Sequence, residues 1–144
     1  MSELIDGDSW CTSRDLARML GSFDFDPCSN ERSHISAFRK YTVVDDGLAH
    51  RWAGSVYCNG PYSDPLPWCK RLARHQDPWC ALWKLDPTTE WFETLVNAGA
   101  TWKAFRDRLK FERPDKPAIT ANFPSVLIYR NWTPSPQLRE MLWI

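Results

Sequence analysis

Residues 56–64 read VYCNGPYSD, a short apolar run that stops at Asn59-Gly60 and continues directly into Pro61-Tyr62. Asn-Gly is the strongest short signal for a two-residue hairpin turn, and a hairpin requires a second alternating strand directly after it. The chain instead supplies Pro61, Ser63-Asp64, Pro65 and Pro67, ahead of a helical pattern. The stretch therefore reads as a strand that runs out into a helix.

The neighbouring segments repeat that alternation. TSRDLARMLGSF (12–23) opens on two candidate caps, Thr12 and Ser13, spaces Leu16, Met19 and Leu20 helically, and meets Gly21 as a stop. FDFD (23–26) reads as a strand ending at Asp26-Pro27-Cys28, and residues 29–53 as a long irregular loop or loop-helix-loop. SVYCN (55–59) is the next strand, and DPLPWCKRLARHQ (64–76) a helix. WCALWKL (79–85) is a buried strand. Asp86-Pro87 suits a cap followed by a first-turn proline, opening a helix that buries Trp91, Phe92, Leu95 and Val96 and stops at Gly99. TWKAF (101–105) and FPSVLIYR (123–130) are two more strands. Strands alternating with helices imply an α/β fold, a sheet with helices on its faces.

The 144 residues suffice for one domain, taken as 1–144. With 43% apolar and 25% charged residues the composition is that of a globular protein. Lys plus Arg and Asp plus Glu both number 18, so no net charge draws the whole chain to nucleic acid. The charge is nevertheless uneven: residues 101–117 concentrate Lys103, Arg106, Arg108, Lys110, Arg113 and Lys116, which suits either phosphate contact or a solvated basic face. Most of the nine tryptophans are expected in the core. The five cysteines lack CxxC pairing and the three histidines lack ligand spacing, so a metal site is not expected. Neither a signal peptide nor a membrane-spanning run is visible, which points to a cytoplasmic protein with reduced thiols.

In an open α/β sheet, ligands bind outside the carboxyl ends of the strands. Asp26-Pro27-Cys28-Ser29 and Asn59-Gly60-Pro61-Tyr62 fall at two such ends. The second carries a specific chemistry. An exocyclic nucleobase amine is a poor nucleophile because its lone pair is delocalised into the ring. A side-chain amide and an adjacent backbone carbonyl can accept both amine hydrogens and turn the lone pair towards an electrophile. An aromatic ring two or three residues on can stack on a base taken out of the duplex. Asn59, the Gly60 carbonyl and Tyr62 meet those requirements in order. Each has a plainer reading, such as Asp26 capping a turn or Tyr62 packing on the next helix.

FDFDPCSN (23–30), DDGLAHRWAGSVYCNGPYS (45–63), LDPTTEWF (85–92), DRLKF (107–111) and FPSVLIY (123–129) together resemble the phage-type DNA N6-adenine methyltransferase (Dam) family, over residues 10–129. The resemblance implies a single Rossmann-like domain, with a mixed sheet and flanking helices, that uses S-adenosylmethionine. It implies phage-encoded modification of double-stranded DNA in the host cytoplasm. By position, Asn59, Gly60, Pro61 and Tyr62 match the catalytic Asn/Asp-Pro-Pro-Tyr motif. Asp26, Pro27 and Cys28 match the cofactor block at the end of the first strand. Trp10 and Thr12 match a Trp-x-Thr-Pro segment expected near the methionine end, and Asp46 is a further cofactor-side candidate. The DNA is expected along the loop carrying Arg32, His34, Arg39 and Lys40, and along the strip carrying Lys103 and Arg106.

Two departures stand out. Gly60 replaces the motif's first proline, which keeps the carbonyl acceptor but removes the proline's fixed φ. Ser13 replaces the proline after Thr12. Alternatives to an active adenine methyltransferase are therefore a methyltransferase fold that only binds DNA, cofactor or a host protein, or an enzyme acting on cytosine N4 or RNA. A chain this small leaves no room for a separate recognition domain, so specificity is either weak or shared across a homodimer.

Overall fold

The computed structural model describes residues 11–113 and 116–143, apart from the side chains of Arg113 and Lys116. Its strands in chain order are β1 (Cys11–Thr12), β2 (Ser22–Asp26), β3 (Ser36–Lys40), β4 (Val56–Cys58) and β5 (Trp79–Lys84). These are followed by β6 (Thr101–Ala104), β7 (Lys110–Arg113), β8 (Lys116–Thr120) and β9 (Ser125–Arg130). Four helices, α1 (Arg14–Leu20), α2 (Leu66–Ala73), α3 (Glu90–Asn97) and α4 (Pro136–Arg139), join a 3-10 turn at Gly47–Ala49. The expected α/β architecture with a mixed sheet is present. Six strands form one sheet in the order β3-β2-β4-β5-β9-β6. The first four are parallel, and β9 runs against both its neighbours. β1, β7 and β8 make a second, antiparallel sheet.

The central strands are apolar on both faces because both faces are covered. Val56, Cys58, Trp79, Ala81, Trp83, Val126 and Ile128 point to one side, where Cys69 and Leu72 of α2 and Trp91, Phe92 and Leu95 of α3 meet them. Tyr57, Cys80, Leu82 and Leu127 point to the other, against Leu16, Ala17 and Leu20 of α1, Leu138 of α4 and Phe111 of β7. Asp24 and Phe25 both donate their N–H to the Ser55 carbonyl, at 3.0 Å each. This bulge breaks the two-residue alternation, so Phe23 joins one core and Phe25 the other.

Several sequence expectations hold. Ser13 caps α1, its Oγ accepting from the Leu16 N–H at 3.3 Å, and Gly21 ends the helix at φ 86°. Asn59-Gly60 is no hairpin: β4 passes through a turn into α2.

Others are corrected. Thr12 is a strand residue rather than a cap. Residues 29–53 contain β3, whose side chains are largely exposed along the sheet edge, so no apolar face announces it. The third helix starts after Thr89, not Asp86. The Asp86 backbone carbonyl accepts from the Thr89 N–H at 3.2 Å, closing a turn, and its side-chain Oδ1 accepts from the Thr88 hydroxyl at 3.2 Å. Val96 is exposed, because it lies beyond the edge of the Trp91–Phe92–Leu95 stripe. Only Trp52, Trp79, Trp83 and Trp91 are buried among the described tryptophans. No helix among the described residues is long and apolar enough to cross a membrane.

Candidate active site at the ends of β2 and β4

From β2 the chain steps outward to β3, then returns across β2 to form β4 on its other side. That reversal opens a crevice at the carboxyl ends of β2 and β4, the place where such sheets bind ligands. A cavity of about 540 Å³ occupies it, within the rough span of 300–1,000 Å³ typical of small-molecule sites. Thr12, Asp26, Pro27, Cys28 and Asp46 line it together with Asn59, Gly60, Pro61 and Tyr62, and Arg32 stands on its rim. The residues expected on the cofactor side, apart from Trp10, and those expected on the base side thus line one cavity. Trp10 lies outside the described residues.

Asn59 is the first residue beyond β4, where the strand's hydrogen bonding has ended. Its Oδ1 is buried and has no hydrogen-bond partner among the described residues. An amide oxygen taken out of water with nothing to accept from costs about 1–3 kcal/mol, so such an atom is an unfilled acceptor facing a ligand's donor. The adjacent Gly60 carbonyl accepts from the Trp83 indole N–H at 3.2 Å. A carbonyl oxygen has two lone pairs, so one remains for a second donor.

Gly60 is glycine for space. A Cβ there would sit 3.1 Å from Trp68 Cγ and 3.1 Å from Trp83 Cζ2. Two indoles crowd the residue and one of them holds its carbonyl, a restraint that comes from packing rather than from a fixed φ. Tyr62 follows in the turn, its ring edge-on to Phe123 with centroids 5.5 Å apart. Burial pushes the Tyr62 phenol up, so it stays neutral.

Asp26 ends β2 and is 2% exposed. Its Oδ1 accepts the Cys28 N–H at 3.2 Å. Burial raises its carboxyl from 3.8 to about 7, only partly opposed by the Cys28 N–H, the Lys40 charge and Ser29. A carboxylate in that state gains most from a cation. The Thr12 and Tyr57 hydroxyls are in hydrogen-bond contact at 3.2 Å beside it.

Tyr57, Trp68, Val43 and Val44 also line the cavity and were not singled out from sequence. Tyr57 could have been found, since it is the residue of β4 pointing opposite to Val56 and Cys58. Trp68 gave no signal beyond its helix.

The expected DNA contacts divide. His34 Nε2 pairs with Glu112 of β7 at 3.2 Å, which turns it away from free anion binding. Arg39 lies over the Phe25 ring at 5.3 Å, and Lys40 Nζ donates to the Ser33 carbonyl at 3.5 Å, both on the β3 side of the crevice. Lys103 lies on β6, at the opposite edge of the sheet, and Arg106 just beyond it covers the Trp143 ring at 5.2 Å. Neither lines the cavity. Both lie towards the same end of the parallel strands, three strand spacings or about 14 Å from β4.

The family model described as DNA N-6-adenine-methyltransferase (Dam) matches residues 3–137. No curated protein and no solved structure gives a match.

Proposed function

Because the chain belongs to the DNA N-6-adenine-methyltransferase (Dam) family, we propose that it transfers a methyl group from S-adenosylmethionine to the N6 amine of adenine in double-stranded DNA. The observation that carries this reading is the buried Asn59 Oδ1 without a partner, one residue from a carbonyl with a spare lone pair. Two acceptors side by side suit an amine with two hydrogens.

The residues present also fit the donor. The buried Asp26 carboxyl suits the ammonium of its methionine end, and the paired Thr12 and Tyr57 hydroxyls line the same cavity. Pro27, Cys28 and Ile35 give the cavity apolar walls. When bound, S-adenosylmethionine supplies a methyl already activated by its sulfonium, so the protein need only position the acceptor.

The target adenine leaves the duplex and enters the cavity beside Tyr62, which stacks on it. Asn59 Oδ1 and the Gly60 carbonyl take the two amine hydrogens and hold the nitrogen lone pair in line with the methyl. Attack on the methyl would break its bond to the sulfonium sulfur, release the neutral thioether and move positive charge onto the nitrogen, so both acceptor bonds would strengthen. Asn59 and Gly60 thus bind the transition state more tightly than the ground state. The surplus proton leaves to solvent through the open mouth. The Gly60-for-proline departure is consistent with turnover, because packing by Trp68 and Trp83 supplies the order that a proline would have given.

The test is methyl transfer from labelled S-adenosylmethionine to unmethylated duplex DNA, comparing wild type with Asn59→Ala and identifying nucleosides by mass. N6-methyladenine that vanishes in the variant supports the reading. N4-methylcytosine, or no product from folded wild-type protein at saturating cofactor, overturns it.

A further inference from the structure

Val43 and Val44 are 91% and 89% exposed, yet both line the rim of the cavity that holds Asn59. Single exposed apolar residues are ordinary. Two adjacent β-branched ones at the tip of a tight turn beside a binding cavity are not.

The turn that presents them is braced at every joint. The Asp45 N–H donates to the Thr42 carbonyl at 3.0 Å, closing a four-residue turn with the valines at its centre. Asp45 Oδ2 accepts from the Thr42 N–H at 2.8 Å and from its hydroxyl at 3.3 Å. His50 Nε2–H donates to the Asp45 carbonyl at 2.7 Å. On the incoming side the Tyr41 N–H donates to the Asp26 carbonyl at 2.9 Å, and the Tyr41 carbonyl accepts from Ser29 at 2.7 Å. On the outgoing side Arg71 of α2 donates to the carbonyls of Leu48 and His50. The valine tip is therefore rigid, anchored to the same β2 end that carries Asp26.

We propose that the Val43–Val44 turn is a wedge that enters the base stack of duplex DNA at the gap left by the extruded nucleotide. The inference rests on the base-extrusion reading above and assigns the residues that act on the duplex. Apolar side chains that insert between base steps stabilise unstacked DNA, and a wedge must be exposed, apolar and stiff to do so. Cations stand on the approach: Arg32 shares the rim, and Arg39 and Lys40 precede the turn on β3. Glu31 and Asp46 also stand on the rim, so phosphate contact falls to the β3 side.

The experiment uses the full chain with Val43→Ser and Val44→Ser combined, positions too exposed to affect folding. Methyl transfer is measured on long unmethylated duplex and on the same DNA as denatured single strands. In parallel, closed circular duplex is relaxed with topoisomerase at matched protein occupancy, and topoisomer shifts report unwinding. The expected result is a loss of about tenfold or more on duplex, a clearly smaller loss on single strands, and unwinding by wild type but not by the variant. Equal activity on duplex, equal loss on both substrates, or equal unwinding overturns the wedge. Valine-dependent unwinding without any methyl transfer by wild type would retain the wedge and overturn the methylation reading. Methyl transfer without valine dependence would do the reverse.

Discussion

The Trp83 indole N–H, from the penultimate residue of the buried strand β5, donates to the Gly60 carbonyl at 3.2 Å, tying the sheet core to the residue beside Asn59. Trp83→Phe keeps the ring and removes this donor. We expect a stability loss of about 1–2 kcal/mol and a larger fall in kcat than in cofactor affinity, because one acceptor is then free to turn. Titration of S-adenosylmethionine beside steady-state kinetics separates the two effects.

Restoring the family's proline should harm this protein. A Cβ at residue 60 already meets Trp68 and Trp83 at 3.1 Å, and a pyrrolidine ring adds further bulk. Gly60→Pro should cost about 1–3 kcal/mol by overpacking, read from denaturant midpoints. Adding Trp68→Leu should recover part of that loss. A Gly60→Pro variant as stable as wild type would contradict this account.

Asn59→Ala should separate activity from stability. Asn59 Oδ1 is buried without a partner, so deleting it removes a standing desolvation cost, and the melting temperature should hold or rise. Methyl transfer should fall by about 10²–10³-fold, the usual effect of removing one preorganised hydrogen bond.

Asp26 makes the free protein sensitive to pH. Its carboxyl ionises at about 7 in the fold against 3.8 ordinarily, so the folded state holds a proton that the unfolded chain has lost. Its contribution is therefore fully favourable below about pH 4 and is lost as pH rises through 7, a change of about 4 kcal/mol. Asp26→Asn should flatten denaturant stability across that window. A cationic ligand binds the ionised form, so S-adenosylmethionine affinity should climb from pH 5 to 7 and level off above, as calorimetry would show.

Ser125 is a control outside the cavity lining. Its Oγ is buried on β9 with no partner among the described residues. Ser125→Ala should be neutral or stabilise by up to about 1 kcal/mol, with catalysis unchanged.

The elements legible in advance were those with a strong local signature. Ser13 and Gly21 bound α1, and the unbroken apolar runs of β4, β5 and β9 mark strands covered on both faces. β3 was missed because its side chains have no buried face, and β7 and β8 because they belong to a small second sheet with little core of its own. Thr89 rather than Asp86 takes the position before α3 because Asp86 is engaged in a turn with Thr88 and Thr89, and spacing alone does not decide such a competition.

The sequence by itself determined the α/β class, the two strand ends that carry polar residues, and the family, since these rest on local periodicity and on ordered motif blocks. Tertiary structure alone decided that those ends meet, because the meeting depends on β4 pairing on the far side of β2 from β3. It also decided the meaning of Gly60. Read along the chain, glycine in place of proline is a loss of stiffness. In the fold, Trp68 of the following helix and Trp83 of the next strand occupy the space around it, and that crowding is visible only once the core has packed.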